Sequence, residues 1–537
     1  MPRILALLLI AAVLVPAARA QTHAGDGLPW WNDTVFYQVF LRSFQDSEDG
    51  ALACDGVGDI PGLIDRLDYL NDGDPDTDTD LGITGLWLMP LMESPSYHGY
   101  DIVDYYTVDR EYGTLDDFRR LVDAAQARGI RVILDLVFNH TSDAHPWFAH
   151  GFAYDPRLRD WYIFREQPGD WTGPWGQNVW HQREGVYYYG IFGPHMPDLN
   201  FTNPEVTAAV REISRFWLDE MGVDGFRLDA IRHVIEDGPA QENTPQTHQW
   251  LKDYYTFYKE IDPDVMTVGE VWDATENVAP YVRDQELDLA FEFDLAGAIL
   301  EAVQTGRAAP VLAQMAETEA AFPPLQYATF LRNHDQSRLM TELRGDFSKA
   351  APAATVLLTL PGVPFLYYGE EIGMVGPKPD PLIRTPMQWT SGLHADFTEC
   401  TPWMAVNEDY EGVNVLDQSA EPGSLLNLYR RLINLRNAHP LLRRGTFTAV
   451  ESGHEGVLAY LREYEGEAAV VVVNLSDQPV RDYALALSQS GLAQAGAAME
   501  LLHGANATAP TLNAGGGFSG YRPVRELAPR TGYLVRL

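Results

Sequence analysis

DLVFNH (Asp135–His140), GFRLDA (Gly225–Ala230), VGEVW (Val268–Trp272) and FLRNHD (Phe330–Asp335) decide the fold. Each is a short apolar run that stops on a charged or polar side chain. This is the pattern of a buried parallel strand presenting a functional group at its C-terminal end, where barrels of alternating strands and helices gather their chemistry. Working outward, similar runs recur along the chain. Eight strands are expected near Val35–Phe40, Gly85–Met89, Val132–Val137, Gly225–Leu228, Val265–Val268, Leu289–Phe293, Ala328–Leu331 and Pro364–Tyr367. Amphipathic stretches separate them. Leu115–Arg128, for example, sets Leu115, Phe118, Leu121, Val122 and Ala125 on one face and stops at Gly129. The pattern predicts an α/β fold, a (β/α)8 TIM barrel.

After the third strand the rhythm breaks. Residues 141–200 are rich in Trp, Tyr, Gly and Pro and carry no helix of length, so they read as an inserted irregular domain. Most of its aromatics are expected to form its own core, with Trp180 and Tyr189 left unassigned. A helical stretch, Leu425–Ala438, ends before His439-Pro440. Alternating runs such as Ala468–Val473 and Thr531–Val535 then predict a C-terminal antiparallel β-sandwich. The division is residues 1–20 as a leader, 21–140 and 201–443 as barrel, 141–200 as the insertion and 444–537 as sandwich. The Asp-rich stretch Asn71–Asp80 reads as a solvated loop.

Met1–Ala20 has Arg3, an apolar run from Ile4 to Val15 and an Ala18-Arg19-Ala20 ending. That is the form of a cleaved signal peptide, implying a secreted or periplasmic protein with no membrane span once the leader is removed. The net charge is −38, and loss of Arg3 and Arg19 with the leader takes it to −40. Such a surface repels nucleic acid and anionic membranes and suits a neutral substrate. The two cysteines, Cys54 and Cys400, fall in loops after the first and last strands, which are neighbours when a barrel closes. A Cys54–Cys400 disulfide is therefore proposed against the alternative of two free thiols.

The four motifs, in this order and with Arg227 two residues before Asp229, resemble the α-amylase family of retaining glycoside hydrolases (glycoside hydrolase family 13). GITGLWLMP (Gly82–Pro90), YHGYD (Tyr97–Asp101), MPDLN (Met196–Asn200) and GVPFLYYGEE (Gly362–Glu371) widen the resemblance over nearly all the chain before the sandwich. The chain is most similar to the secreted bacterial α-amylases intermediate between oligo-1,6-glucosidases and neopullulanases. The resemblance implies cleavage of α-1,4-glucosidic bonds in starch or maltodextrin through a glycosyl-Asp intermediate. Asp229 is then the nucleophile, Glu270 the general acid/base and Asp335 a third carboxylate that binds sugar hydroxyls. Tyr100, Asp101, His140, Arg227 and His334 are the expected substrate-binding residues.

The same resemblance implies calcium. One site would use Asp46, Asp55, Asp59 and the Val57 carbonyl, and a second Asn139, Asp198 and the His233 backbone, all hard oxygen ligands. Other readings stay open: an α-glucosidase, a 4-α-glucanotransferase or transglycosylase, since Arg384-Thr-Pro-Met-Gln-Trp resembles exo-acting α-glucosidases and trehalose synthases, and, remotely, a non-catalytic glycan-binding relative. Arg232 stands where many α-amylases carry Lys. A monomer is expected.

Overall fold

The computed structural model describes residues 27–537, so the proposed leader lies outside the described residues. Eight parallel strands form one sheet: β1 (Phe36–Val39), β2 (Gly85–Leu88), β3 (Arg131–Leu136), β4 (Gly225–Leu228), β5 (Met266–Gly269), β6 (Leu289–Ala290), β7 (Ala328–Thr329) and β8 (Val363–Tyr367). Their order is β7-β8-β1-β2-β3-β4-β5-β6, and a parallel bridge from Phe291 to Ala328 joins the two ends, closing the barrel. Sequential strands pair as neighbours, as short helical crossovers require. The sixth and seventh strands are shorter than expected because Phe293 already begins the helix Phe293–Thr305 and Phe330 leaves the ladder.

Inside the barrel Phe36, Trp87, Ile133, Met266, Val268, Phe291, Phe330 and Phe365 pack together, so it is filled rather than hollow. Gly225 opens β4 because a Cβ there would come within 2.0 Å of the Met266 carbonyl. The helix Leu115–Ala127 follows the expected face and is held by a capping box between Thr114 and Asp117.

The insertion is more ordered than its composition suggests. It holds the short helices Pro146–Phe152 and Pro156–Arg159 and a three-stranded antiparallel sheet, Phe164–Arg165, Val186–Tyr189 and Trp180–Arg183. Trp180, Tyr189, Val179 and Ile191 form its private core, which resolves the two unassigned aromatics.

Beyond Gly445 a five-stranded antiparallel sheet faces a two-stranded one, Leu485–Gln489 with Gly516–Tyr521. Alternation along Val457–Tyr464 and Glu467–Asn474 explains the packing. Leu458, Tyr460, Val471 and Val473 join the barrel core, whereas Val457, Ala459, Val470 and Val472 join the sandwich core. Cys54 and Cys400 are disulfide-bonded, tying the loop after β1 to the loop after β8 across 346 residues. No helix of the described residues is long and apolar enough to cross a membrane.

Candidate active site

All four opening motifs end at the C-terminal face of the barrel, and Arg227 is their hub. It is the register partner of Asp135 on the adjacent strand, so both side chains point the same way. Its Nη1 donates to Asp135 Oδ1 at 2.8 Å and to Asp229 Oδ1 at 2.6 Å, and its Nη2 donates to Glu270 Oε2 at 2.8 Å. Burial alone would lower the guanidinium's pKa, but Asp135, Glu270 and Asp229 raise it well above its ordinary value. Arg227 is thus a permanent cation shared by three acids.

The three acids receive unequal treatment. Burial pushes the Glu270 carboxyl up to about 7; Arg227 opposes this, while the charges of Asp229 and Asp335 add to it. Burial also lifts Asp229 above the ordinary carboxylate range, with Arg227 opposing through charge and hydrogen bond. The ion pair is present, but one guanidinium divided among three carboxylates does not outweigh desolvation. Ala230, next to Asp229, sits at φ 49°, a left-handed conformation that strains a residue with a side chain. That strain aims its N–H at Glu270 Oε2, 3.1 Å away.

Asp335 comes from beyond β7 and is the most exposed of the expected acids, its side chain 28% accessible. Arg384 Nη2 holds it at 3.0 Å, and the same arginine donates from Nε to the His334 carbonyl. His334 is fixed by Gln38, whose Nε2 donates to Nδ1 at 2.6 Å. The remaining Nε2–H faces Tyr100 Oη at 2.5 Å and Asp335 Oδ2 at 3.1 Å. Burial and the cations Arg384 and Arg227 drive its pKa well down, so the ring is neutral and its tautomer is set. Tyr100 stacks on His334 with the rings 3° from parallel and donates to Asp135 Oδ2 at 3.1 Å. Six expected residues, Tyr100, Arg227, Asp229, Glu270, His334 and Asp335, therefore converge.

Two expected binding residues sit behind this cluster. Asp101 accepts from Ser94 and Ser96 and lies 3.8 Å from His98. His140 is neutral, its pKa lowered by burial to about 4; with its Nε2 on the Tyr100 carbonyl, Nδ1 is left as an acceptor. It gives its one N–H to the Tyr100 carbonyl, and its Nδ1 is a buried acceptor without a partner. Asp135, Gln38, Trp87 and Arg384 have no site role legible from sequence, although Arg384 opens the Arg384-Thr-Pro-Met-Gln-Trp stretch. Asp135 begins a quoted motif, and a charged residue inside the apolar run RVILDLVF was the available signal. Its carboxyl is buried, also accepts from Trp87 Nε1 at 3.3 Å, and is pushed up to about 7 chiefly by burial.

Beside Glu270 lies a cavity of about 250 Å³ lined by Trp175, Phe192, Arg232, His233 and Trp272. Trp175 and Trp272 are 58% and 45% exposed, which sets them apart from the buried tryptophans of the barrel. Arg232 is anchored to the Trp272 carbonyl at 2.7 Å and to His233 Nε2 at 3.1 Å.

Among the described residues no three His, Cys, Asp or Glu side chains form a group able to hold a metal. In the first loop Asp46 accepts the N–H groups of Cys54 and Gly56, Asp55 that of Val57, and Asp59 those of Ser47 and Gly62. These carboxylates are engaged in folding the loop and capping the helix Ile60–Asp65. The second set differs. Asn139 Nδ2 donates to Asp198 Oδ2 at 3.3 Å, while Asn139 Oδ1 and Glu236 Oε1 are buried acceptors without a partner. Burial pushes Asp198 up to about 7, and burial followed by the Asp198 charge raises Glu236 well above its ordinary value. Uncompensated hard oxygens of this kind fit a hard cation. His233 spends both ring nitrogens on Gln241 O and Arg232, which leaves its backbone carbonyl as the part to consider.

Residues 38–445 match the family model described as alpha amylase, catalytic domain, and residues 447–509 match maltogenic amylase, C-terminal domain. The chain is 40% identical over 455 residues to alpha-amylase 3 of Dictyoglomus thermophilum, covering 83% of this chain and 86% of that one. It is 35% identical over 533 residues to a trehalose synthase of Pimelobacter sp., covering 85% and 89%. The crystal structure of an alpha-amylase from H. orenii superposes with a TM-score of 0.81 at 38% identity, over 94% of this chain and 99% of that one.

Proposed function

The chain belongs to the α-amylase family, and from that membership and the geometry of its site we propose that it cleaves α-1,4-glucosidic bonds of starch and malto-oligosaccharides with retention. That it is an α-amylase-like glycoside hydrolase follows from the family. The observation that carries the finer assignment is the sharing of Arg227 by Asp229 and Glu270, with Glu270 raised to about 7.

Asp229 attacks the anomeric carbon, and as that bond forms the bond from carbon to glycosidic oxygen breaks. Glu270 gives its proton to the departing oxygen. Glu270, now a carboxylate, takes a proton from water, which attacks the same carbon and frees Asp229. Arg227 balances the charge left on the pair as the proton departs. Tyr100 and His334 offer a flat face and a donor to the reacting sugar, and Asp335 accepts from its hydroxyls.

Transfer to a second sugar is the alternative favoured by a specific feature. Trp175 and Trp272 border Glu270 on the side where the leaving group departs, and such aromatic walls hold an acceptor as readily as a leaving chain. Incubation with maltoheptaose and with soluble starch, products followed by chromatography, separates the readings. Early internal fragments support endo-hydrolysis; products longer than the starting sugar support transfer. Stepwise glucose release identifies an α-glucosidase.

Calcium at Asn139, Asp198 and Glu236 is proposed from their donor chemistry alone. Saturating calcium should raise Tm, and Asn139→Ala should abolish that rise. Export is proposed from Met1–Ala20; N-terminal sequencing of protein recovered outside the cytoplasm should begin at Gln21.

A further inference from the structure

Two aromatic side chains on the Asp335 side of the site have no part in the mechanism above. Tyr97 and Trp403 are half-buried and stack, with ring centroids 5.5 Å apart and planes 24° from parallel. Tyr97 opens the turn that carries Tyr100. The inner part of that turn is pinned: a Cβ on Gly99 would come within 2.8 Å of the Pro90 carbonyl, and the Tyr100 N–H donates to His98 Nδ1 at 3.1 Å. Its outer end is held differently. Among the described residues Tyr97 makes no hydrogen bond, and ring contacts hold it, with Trp403 face to face and with His98 edge-on at 5.4 Å. Burial raises its phenol above the ordinary value; Arg384 opposes this, while the charges of Asp380 and Asp335 add to it. Those charges place the hydroxyl near the carboxylate assigned to sugar hydroxyls.

Trp403, by contrast, is fixed from several directions. Its N–H donates to the Gly56 carbonyl at 2.8 Å, and its Nε1 donates to Ser43 Oγ at 3.1 Å. Ser43 in turn donates to the carbonyl of Arg384, the residue that holds Asp335. Phe40 meets the indole edge-on at 6.0 Å, and the Arg42 guanidinium lies 5.1 Å from its centroid. The disulfide adds a further constraint. Cys400 lies just before Trp403 and Cys54 just before Gly56, so the bond closes the same two segments that the Trp403–Gly56 hydrogen bond joins. Their backbones touch, since a Cβ on Gly56 would lie 1.9 Å from the Thr401 carbonyl oxygen. A fixed indole thus orients a phenol that no hydrogen bond anchors.

We propose that Trp403 is a positioning residue for substrate: it holds the Tyr97 ring at the wall of the cleft, where that ring takes the apolar face of a glucosyl unit beside the one bound by Asp335, and the disulfide keeps Trp403 in place. The role deepens the function proposed above and rests on it. A ring ordered in advance loses no rotamer freedom when the sugar arrives. The contact is the same in the ground state and the transition state, so it sets KM and leaves kcat alone.

Steady-state kinetics on maltoheptaose test this. Trp403→Ala should raise KM about tenfold with kcat within about twofold of the natural enzyme. Trp403→Phe, which supplies a flat ring, should restore most of the loss, and Trp403→Leu, which fills space without one, should not. Tyr97→Ala should raise KM by as much, and adding Trp403→Ala to it should change KM by less than about twofold, because the two act through one contact. Cys54→Ser with Cys400→Ser should raise KM about threefold, and only while Tyr97 is present. An unmoved KM in folded Trp403→Ala overturns the proposal, as do effects of Trp403→Ala and Tyr97→Ala that multiply. Where Trp403→Ala does not fold, equal KM values for Trp403→Leu and Trp403→Phe overturn it. An unmoved KM in the cysteine variant overturns the part given to the disulfide. A natural protein inactive on maltoheptaose overturns the proposed substrate and this role together, whereas an active enzyme whose KM is indifferent to Trp403 overturns this role alone.

Discussion

Arg227 at the catalytic face and the pair Arg436 and Arg462 at the seam between barrel and C-terminal sheet are buried alike, at 1%, 0% and 0% exposure, yet they are neutralised in opposite ways. Arg227 meets three carboxylates. Arg436 donates to the carbonyls of Leu358 and Leu360, each at 3.0 Å, and of Gly362 at 2.6 Å. Arg462 donates to Thr359, Gly445 and Thr446. Those carbonyls include the last turn of the helix Phe347–Thr359, whose unpaired oxygens and dipole attract a cation. Burial, with repulsion from Arg462 and Arg443, lowers Arg436 to about 9, whereas Arg227 is raised. The difference teaches that backbone dipoles suffice to bury a cation that joins two domains. Full negative charge is gathered only where its excess is put to chemical use.

The sharpest way to break this comparison is Glu270→Gln. It should lower kcat by about 10²–10⁴-fold, the range for loss of a general acid/base. Folding should be unharmed, as circular dichroism and calorimetry would show. Activity near the natural level would remove Glu270 from the proposed role.

Arg462→Met should do the converse, leaving the kcat of folded enzyme within twofold. Stripping partners from the two buried carbonyls of Thr359 and Gly445, and from that of Thr446, should lower stability by about 2–4 kcal/mol, measured by urea denaturation. A variant with full stability and damaged catalysis would refute the division of labour.

Next in size is the pH dependence. Glu270 must carry a proton to serve the leaving group, and its carboxyl is raised to about 7. The rate kcat/KM should therefore fall tenfold per pH unit once pH passes about 7. Stability has the same sign: a carboxyl raised in the folded state contributes below its unfolded value, and that contribution is lost as pH rises through about 7. Glu270→Gln should flatten this loss, a point that Tm measured from pH 5 to 9 checks.

The smallest effect expected is on the loops. Cys54→Ser should lower Tm by a few degrees while preserving kcat, because the bond links loops outside the carboxylate cluster.

The strands and the motif acids were legible because burial on both faces imposes unbroken apolar runs, and a carboxylate at their end stands out. Asp135 was passed over although it opens DLVFNH. Its meaning comes from register with Arg227, a property of paired strands rather than of either segment. Glu236 was invisible for the same reason, since only the fold sets it against Asp198. The Asp-rich loop read as solvated; in the fold Asp80 is buried and accepts the Asp72 N–H.

Sequence by itself determined the barrel, the presence of an insertion after its third strand, the C-terminal β region and the order of the catalytic motifs, because hydrophobic periodicity and strand-end side chains are local. Tertiary structure decided how one guanidinium is divided among three acids, which histidine nitrogen faces the site, and that Cys54 meets Cys400. Those depend on distances between residues tens to hundreds of positions apart, and such distances exist only once the barrel has closed.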